Sequence, residues 1–375
     1  MQLIFSITLI AVMGVASISP AFPSVIKAFG IESHKIAWLI TVFTVPGVVL
    51  TPIAGILADR LGRKKILVPS LFIFAIAGSA CGFAQSYEML VIFRFFQGVG
   101  AASIGSLNVT LIGDIYSGKD RAKAMGYNAS VLSLGTATYP AIGGALAMLG
   151  WYWPFFFPVL ALPVGLFVLL YLKNPEPEGN EAFLRYLKNA FNSMANRRVI
   201  GLFILSVSTF IILYGAYLTM FPLYLGEKFK ATPLIIGLIA SSMSVTTAIT
   251  SSRLGRLIKK YSAPVLIIVG CVLYGISLFL IPFLPGLIYM LIPAVIFGAA
   301  QGLNIPATQT FLAELSPIEY RAAFMSINGM VLRLGQTLGP LIIGYFIAFG
   351  GYSAAFFAGA ILAVFMVLIA MMMIK

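Results

Sequence analysis

Twelve apolar runs, each bounded by charges or turn residues, follow one another along the chain, near 3–29, 36–57, 66–84, 88–112, 122–148, 153–172, 199–225, 233–252, 264–283, 287–311, 322–348 and 353–374. A hydrocarbon core about 30 Å thick takes about 20 residues of helix. The pattern therefore predicts twelve transmembrane helices and an all-α polytopic membrane protein. The first run lacks a basic flank and holds Pro20 and Pro23 in a stretch longer than a signal-peptide core, so it reads as a retained span. The longest break, about 173–198, opens with Asn174-Pro175-Glu176-Pro177 and continues with Phe183, Leu184, Leu187 and Phe191 at helical spacing. It predicts an amphipathic helix on the membrane surface, tethering two halves. The expected organisation is a six-helix bundle over 1–172, a linker over 173–198 and a second six-helix bundle over 199–375.

Composition agrees with a lipid-embedded chain. Charged residues make up 9% of the 375, against about 25% in soluble domains, and mean hydropathy is +1.02. Twelve spans would take about 250 residues, leaving no room for a soluble domain. The formal charge of +13 is asymmetric along the chain. With both termini cytoplasmic, 18 basic residues fall on the inner side and four, Lys27, Lys35, Lys228 and Lys230, on the outer side, as the positive-inside rule requires. That distribution points to a lipid bilayer, a plasma (inner) membrane location and no nucleic-acid partner. Trp38, Trp151 and Trp153 then fall at outer helix ends, where aromatic anchors prefer to sit.

Cys81 and Cys271 lie inside apolar runs, so neither a disulfide framework nor a metal cluster is expected. With one histidine and no phosphate-binding glycine loop, an enzyme and an ATP-driven pump are both disfavoured, and no cofactor is expected.

The second half repeats the first. Asp114, Arg121, Ala122, Met125 and Asn128 recur 200 residues later as Glu314, Arg321, Ala322, Met325 and Asn328, and Gly135, Pro140 and Gly144 recur as Gly335, Pro340 and Gly344. Gln97-Gly98 recurs as Gln301-Gly302 with a four-residue slip. Parallel repeats of six spans imply a pseudo-twofold axis along the membrane normal, with transport by alternating access.

Between the second and third runs, Gly55-Ile56-Leu57-Ala58-Asp59-Arg60-Leu61-Gly62-Arg63-Lys64-Lys65 resembles a loop signature of the major facilitator superfamily. The resemblance, with twelve spans and the half-chain repeat, covers essentially the whole chain. It implies a gating network of Gly55, Asp59, Arg60, Gly62, Arg63, Asp114 and Arg121 that closes the inner side of the outward-facing state. Arg94-Phe95-Phe96-Gln97-Gly98 resembles the second signature of the twelve-span drug:proton antiporter branch. Gly126, Gly135, Tyr139, Pro140, Gly143 and Gly144 match its third signature at five of six positions, with Tyr139 where a glycine is usual. That signature marks exporters, and it implies a helix 5 bent to seal against leak.

Arg94 falls about 9 Å into the fourth run and Arg333 about 16 Å into the eleventh, too deep for indifferent charges. Arg94, Gln97, Gly98, Ala101, Gly105 and Asn108 share one helical stripe, and Gln336, Thr337 and Pro340 share the face of Arg333. With Asn128 and Tyr139 these residues form the candidate substrate and coupling site. Aromatic and polar wall candidates are Phe22, Tyr127, Tyr214, Tyr217, Phe221, Asn304 and Gln309.

No Asp or Glu lies mid-span, so a proton counter-ion would depend on Asp59 and Asp114, with His34 a distant third. Two deep arginines and no deep acid favour an anionic or zwitterionic amphiphile. The expected function is proton-coupled efflux of small amphipathic molecules by a monomer. The rival is a uniporter, importer or translocator of an anionic or lipid-like solute.

Overall fold

The computed structural model describes residues 1–172, 196–317 and 321–374; at Ile56, Asp59, Lys119, Ala122, Arg321, Ala322, Ala323 and Ser326 it describes the backbone path alone. Most of the predicted linker and its amphipathic helix, 173–195, lies outside the described residues.

The first six spans are α1 (Gln2–Phe29), α2 (Ala37–Leu61), α3 (Arg63–Phe83), α4 (Tyr87–Ile115), α5 (Gly118–Leu149) and α6 (Trp153–Tyr171). Then come α7 (Arg197–Lys228), α8 (Pro233–Ser252), α9 (Ala263–Phe283), α10 (Leu287–Leu315), α11 (Arg321–Tyr345) and α12 (Ile347–Ile374). Eleven regions among the described residues are long and apolar enough to cross a membrane. The helix α11 is not one of them, because Asn328, Arg333 and Gln336 lower its hydropathy.

Several helices are broken where the sequence carries proline or glycine. In α1 the helix Gln2–Ala16 gives way to a 3-10 turn at Ser19–Ala21 before resuming at Phe22–Phe29. Pro20 has no N–H, and the Ala21 N–H turns to the Ile18 carbonyl at 2.9 Å, which leaves the Ser17 carbonyl out of the helical ladder. The stretch Ile212–Met220 of α7 is a π-helix, ending just before Pro222. Gly351, at φ 63°, kinks α12, so helix forms ahead of the predicted start at 353.

The chain divides into two compact units. One comprises Met1–Gly179 with Thr232–Ser241, the N-terminal half of α8; the other comprises Asn180–Ala231 and Ser242–Lys375. In the first, α4 packs on α2 and α3 while α5 packs on α1; in the second, α10 packs on α9 and α11 on α7. Lipid supplies no hydrophobic force between helices, so small residues and polar links hold these pairs. Gly98 lets α4 lie directly on the backbone of α2, and a Cβ there would collide with the Phe43 carbonyl. Hydroxyls tie the same pairs: Thr51 donates to the Ala102 carbonyl at 2.7 Å, and Ser103 donates to Ser70 at 2.6 Å. In the second unit Ser277 donates to the Pro293 carbonyl at 2.7 Å, joining α9 to α10.

The repeat is visible in the packing. Gly135 of α5 faces Leu9 and Val12 of α1, and Gly335 of α11 faces the Val207 carbonyl of α7. Each lies on the first helix of its own half.

Gly98→Val should therefore cost about 1–3 kcal/mol of stability through overpacking and lower the thermal unfolding midpoint of the purified protein. Gly126→Ala should leave that midpoint unchanged, because the Gly126 Cβ position has nothing within 4 Å.

Candidate functional site

The most buried charge among the described residues belongs to α4. Arg94 is 0% exposed, the one charged residue in the buried set among those described. Its Nε donates to the Leu39 carbonyl of α2 at 3.1 Å. Its Nη1 donates to the Gly14 carbonyl of α1 at 2.9 Å and to Gln97 Oε1, one turn away, at 2.7 Å. The guanidinium carbon stands 4.1 Å from the centre of the Phe43 ring. Two helix backbones, one amide and one aromatic face thus replace water around Nε and Nη1, while Nη2 has no hydrogen-bond partner in the protein. The stripe read from the sequence is a packing seam: Gln97, Gly98, Ala101 and Asn108 are all buried.

Closer to the Met1 end of α1 is a second polar cluster. Asn108 Nδ2 donates to Thr8 Oγ1 at 2.7 Å and to Asn128 Oδ1 at 3.2 Å, and the Thr8 hydroxyl donates to the same Asn128 oxygen. All three are buried, and they join α1, α4 and α5. Asn108 and Asn128 were readable in the sequence; Thr8 was not, since a threonine in an apolar run is unremarkable until its partners are placed. Tyr139 lies on the same helix as Asn128, and its ring packs edge-on against Phe157 of α6 with centroids 5.4 Å apart.

The loop signature forms a tight corner. Gly62, at φ 94°, ends α2 and starts α3 in a backbone conformation that a side chain would strain. Arg63, the first residue of α3, pairs with Asp114 near the end of α4 at 3.0 Å. Each charge sits at the helix end whose dipole has its own sign, so neither position is favourable alone. The pair is partly exposed and worth about 0–1 kcal/mol. Its value is that it joins α3 to α4 at a breakable contact. The guanidinium of Arg121 lies over Gly113, beside the C-terminal turn of α4. Gly55 has open space around it and Arg60 is exposed. The Asp59 side chain lies outside the described residues.

The third signature builds a face without side chains. A Cβ on Gly143 would collide with the Ser17 carbonyl that Pro20 frees in α1. A Cβ on Gly144 would strike the Pro233 carbonyl, while Gly237 of α8 in turn admits the Pro140 carbonyl. The Ala141 N–H donates to Ser241 Oγ at 3.2 Å. Gly126 has no neighbour. The α5 face thus seats two partners within the first unit, α1 and the N-terminal half of α8.

In the second unit Arg333 is part-buried and donates to Gln336 Oε1 at 3.2 Å, with Tyr214 as its electrostatic neighbour. Gln336 and Thr337 are buried. Of the aromatic wall candidates, Phe22, Tyr217 and Phe221 are buried in packing and Tyr127 is exposed. Tyr217 stacks on Phe221 and Phe297. Asn304 is buried and Gln309 half-buried. Both cysteines are buried free thiols, and no cluster able to hold a metal occurs among the described residues.

Replacing Arg94 by Leu removes three donated hydrogen bonds, and hydrogen bonds to charged groups are worth about 1.5–3 kcal/mol each. We expect a marked fall in the thermal unfolding midpoint of the purified protein. Arg94→Lys should recover part of it, since an ammonium keeps the charge without the planar fork.

The profile of the Major Facilitator Superfamily matches residues 4–229 and 205–375. Multidrug resistance protein 1 of Bacillus subtilis (strain 168) is 28% identical over 338 residues, covering 89% of this chain and 86% of its own. Quinolone resistance protein NorA of Staphylococcus aureus (strain N315) is 25% identical over 348 residues, covering 91% and 88%. The crystal structure of nucleoside transporter NupG superposes with a TM-score of 0.83 at 14% identity, covering 100% of this chain and 99% of that one, and so shares its fold. The chain belongs to the major facilitator superfamily of membrane transporters.

Proposed function

We propose that this transporter is a secondary active exporter of small amphipathic molecules, exchanging them for protons by rocking two six-helix bundles. The observation that carries the reading is the side-chain-free face of α5, where Pro140, Gly143 and Gly144 meet the backbones of α1 and α8. Such a contact suits a tight seal that can part without unthreading side chains. The names of the multidrug and quinolone resistance relatives agree with export.

In this reading both termini are cytoplasmic, the protein is a monomer in the plasma membrane, and Arg63, Asp114 and Asp59 form the inner latch. Among the described residues no acid is buried, so the proton rides on Asp114 or Asp59 at the latch. Arg333, part-buried beside Gln336, Thr337 and Tyr214, attracts the anionic or zwitterionic end of the solute. A second reading, a carrier of anionic or lipid-like solutes without proton exchange, draws on the same lack of a buried acid.

Inverted vesicles with an imposed pH gradient separate the two. Gradient-driven uptake of amphiphiles supports the exporter; equilibration indifferent to the gradient supports the second reading. Arg333→Ala should slow anionic amphiphiles about tenfold relative to cationic ones, the equivalent of about 1.4 kcal/mol. Asp114→Asn should abolish the response to the gradient while leaving passive exchange. If both variants behave as the parent does, these residues have no part in transport.

A further inference from the structure

The two halves differ where the repeat would make them alike. Asn108 and Asn128, which bridge to Thr8 in the polar cluster of the first unit and leave Asn108 Oδ1 as its unmet acceptor, correspond at a shift of 200 to Thr308 and Asn328. At that shift Thr8 corresponds to Ser208, and the hydroxyl that reaches α10 is that of its neighbour Thr209. In the first unit the Asn108 amide reaches both neighbours at once. Threonine at 308 is too short to do so, and it has no second polar head. Thr209 turns instead to Asn304, one turn earlier on α10, donating to its Oδ1 at 3.0 Å. The Asn304 amide nitrogen turns away toward Cys271 Sγ at 3.4 Å.

A cleft opens between α7, α10 and α11, with space for about one water molecule. Its floor is Ser206, Thr209, Asn304, Thr308 and Asn328, all buried. Its rim is Phe210, Ile305 and Leu332 with the amide of Gln309, all half-buried. On the floor, Thr308 Oγ1 and Asn328 Oδ1 have no hydrogen-bond partner in the protein, although the residues are 3% and 2% exposed. The equivalent asparagine oxygen in the first unit, Asn128 Oδ1, accepts from both Thr8 and Asn108. A buried acceptor left unmet is costly, and more so in a helix bundle that lipid surrounds. The cleft therefore combines a polar floor that needs a donor with an apolar rim.

We propose that this cleft is a hydrogen-bonding subsite that takes a neutral N–H or O–H donor carried on an otherwise apolar solute. It rests on the transport reading above and names what that solute must carry. Asn328 Oδ1 is an uncharged acceptor and the Thr308 hydroxyl can accept as well as donate, so this floor recognises a donor by direction, whereas Arg333 acts on net charge, and the two groups select different parts of one amphiphile. Its chemistry could also be met by a lone water, and the test separates the two sources.

The test uses the full-length protein in nanodiscs of neutral phospholipid. The probe is an anilinonaphthalene sulfonate whose sulfonate lies on the ring remote from the amine. Beside it is the N-methyl analogue, which has the same charge and nearly the same shape but no N–H. Fluorescence titration should show the N–H dye binding roughly five- to tenfold more tightly than the N-methyl dye, the worth of one hydrogen bond. Thr308→Asn, which places at 308 the amide whose nitrogen donates to the asparagine oxygen in the first unit, should occupy Asn328 Oδ1 and bring that ratio to about one. Thr308→Val, close in volume to threonine, should lower it as well and guards against a folding defect.

A ratio near one in the parent protein, a ratio that survives both substitutions, or failure of either dye to bind overturns the proposal and leaves the cleft to water. Counterflow of both dyes in proteoliposomes without discrimination sinks the subsite and spares the transport reading. Discrimination in binding without any flux does the reverse.

Discussion

Helices in hydrocarbon gain nothing from hiding apolar surface from one another, and any polar group among them must find its partner inside the protein. That constraint explains why this structure is held by backbone contacts and closed polar clusters. Gly98 against Phe43 and Gly335 against Val207 are places where two helices touch without a side chain between them. Arg94 is the extreme case of the second rule. A cation with no exposed surface is tolerable because a carbonyl of α1, a carbonyl of α2 and Gln97 Oε1 each accept a hydrogen bond from it, leaving Nη2 as the one unpartnered nitrogen. The same residue that would be costly alone fixes how three helices meet.

Placed on this framework, the charges near the helix ends have a different character. Arg63 and Asp114 each oppose the dipole of the helix they sit on, and they meet across α3 and α4 at a part-exposed contact. A pair of that kind adds little to stability, which is in keeping with the proposal that it serves as a latch. The α5 face made of Gly143, Gly144 and Pro140 has the complementary property: it allows close approach, yet no side chain interlocks.

The two halves share packing and differ in chemistry. Both place a glycine of the fifth or eleventh helix on the first helix of its half, and in both a threonine of that first helix hydrogen-bonds to an asparagine. With asparagine at 108 the first cluster is bridged through one amide nitrogen and leaves Asn108 Oδ1 without a partner, whereas with threonine at 308 that bridge is missing and both Thr308 Oγ1 and Asn328 Oδ1 lack one. The repeat supplies the common scaffold, and in the proposal above the shorter side chain at 308 is what leaves the second cluster open to a ligand.

The sequence by itself determined the spans, their order, the repeat and the family, because hydropathy and motif spacing are local properties that survive without knowledge of neighbours. It anticipated Arg94 as buried, the pairing of the loop signature with Asp114, and the absence of a mid-span acid. Tertiary structure decided what those residues touch. The carbonyls of Gly14 and Leu39 carry no sequence signal, since every residue has one, and Thr8 looks like any other hydroxyl in an apolar run. The break in α1 was legible as Pro20; that it frees the Ser17 carbonyl for Gly143 was not. The repeat could have led from Asn128 to Asn328, but the open cleft depends on how far Thr308 reaches across to its neighbours. That reach is set by helix rotation and separation, which no pattern along the chain encodes.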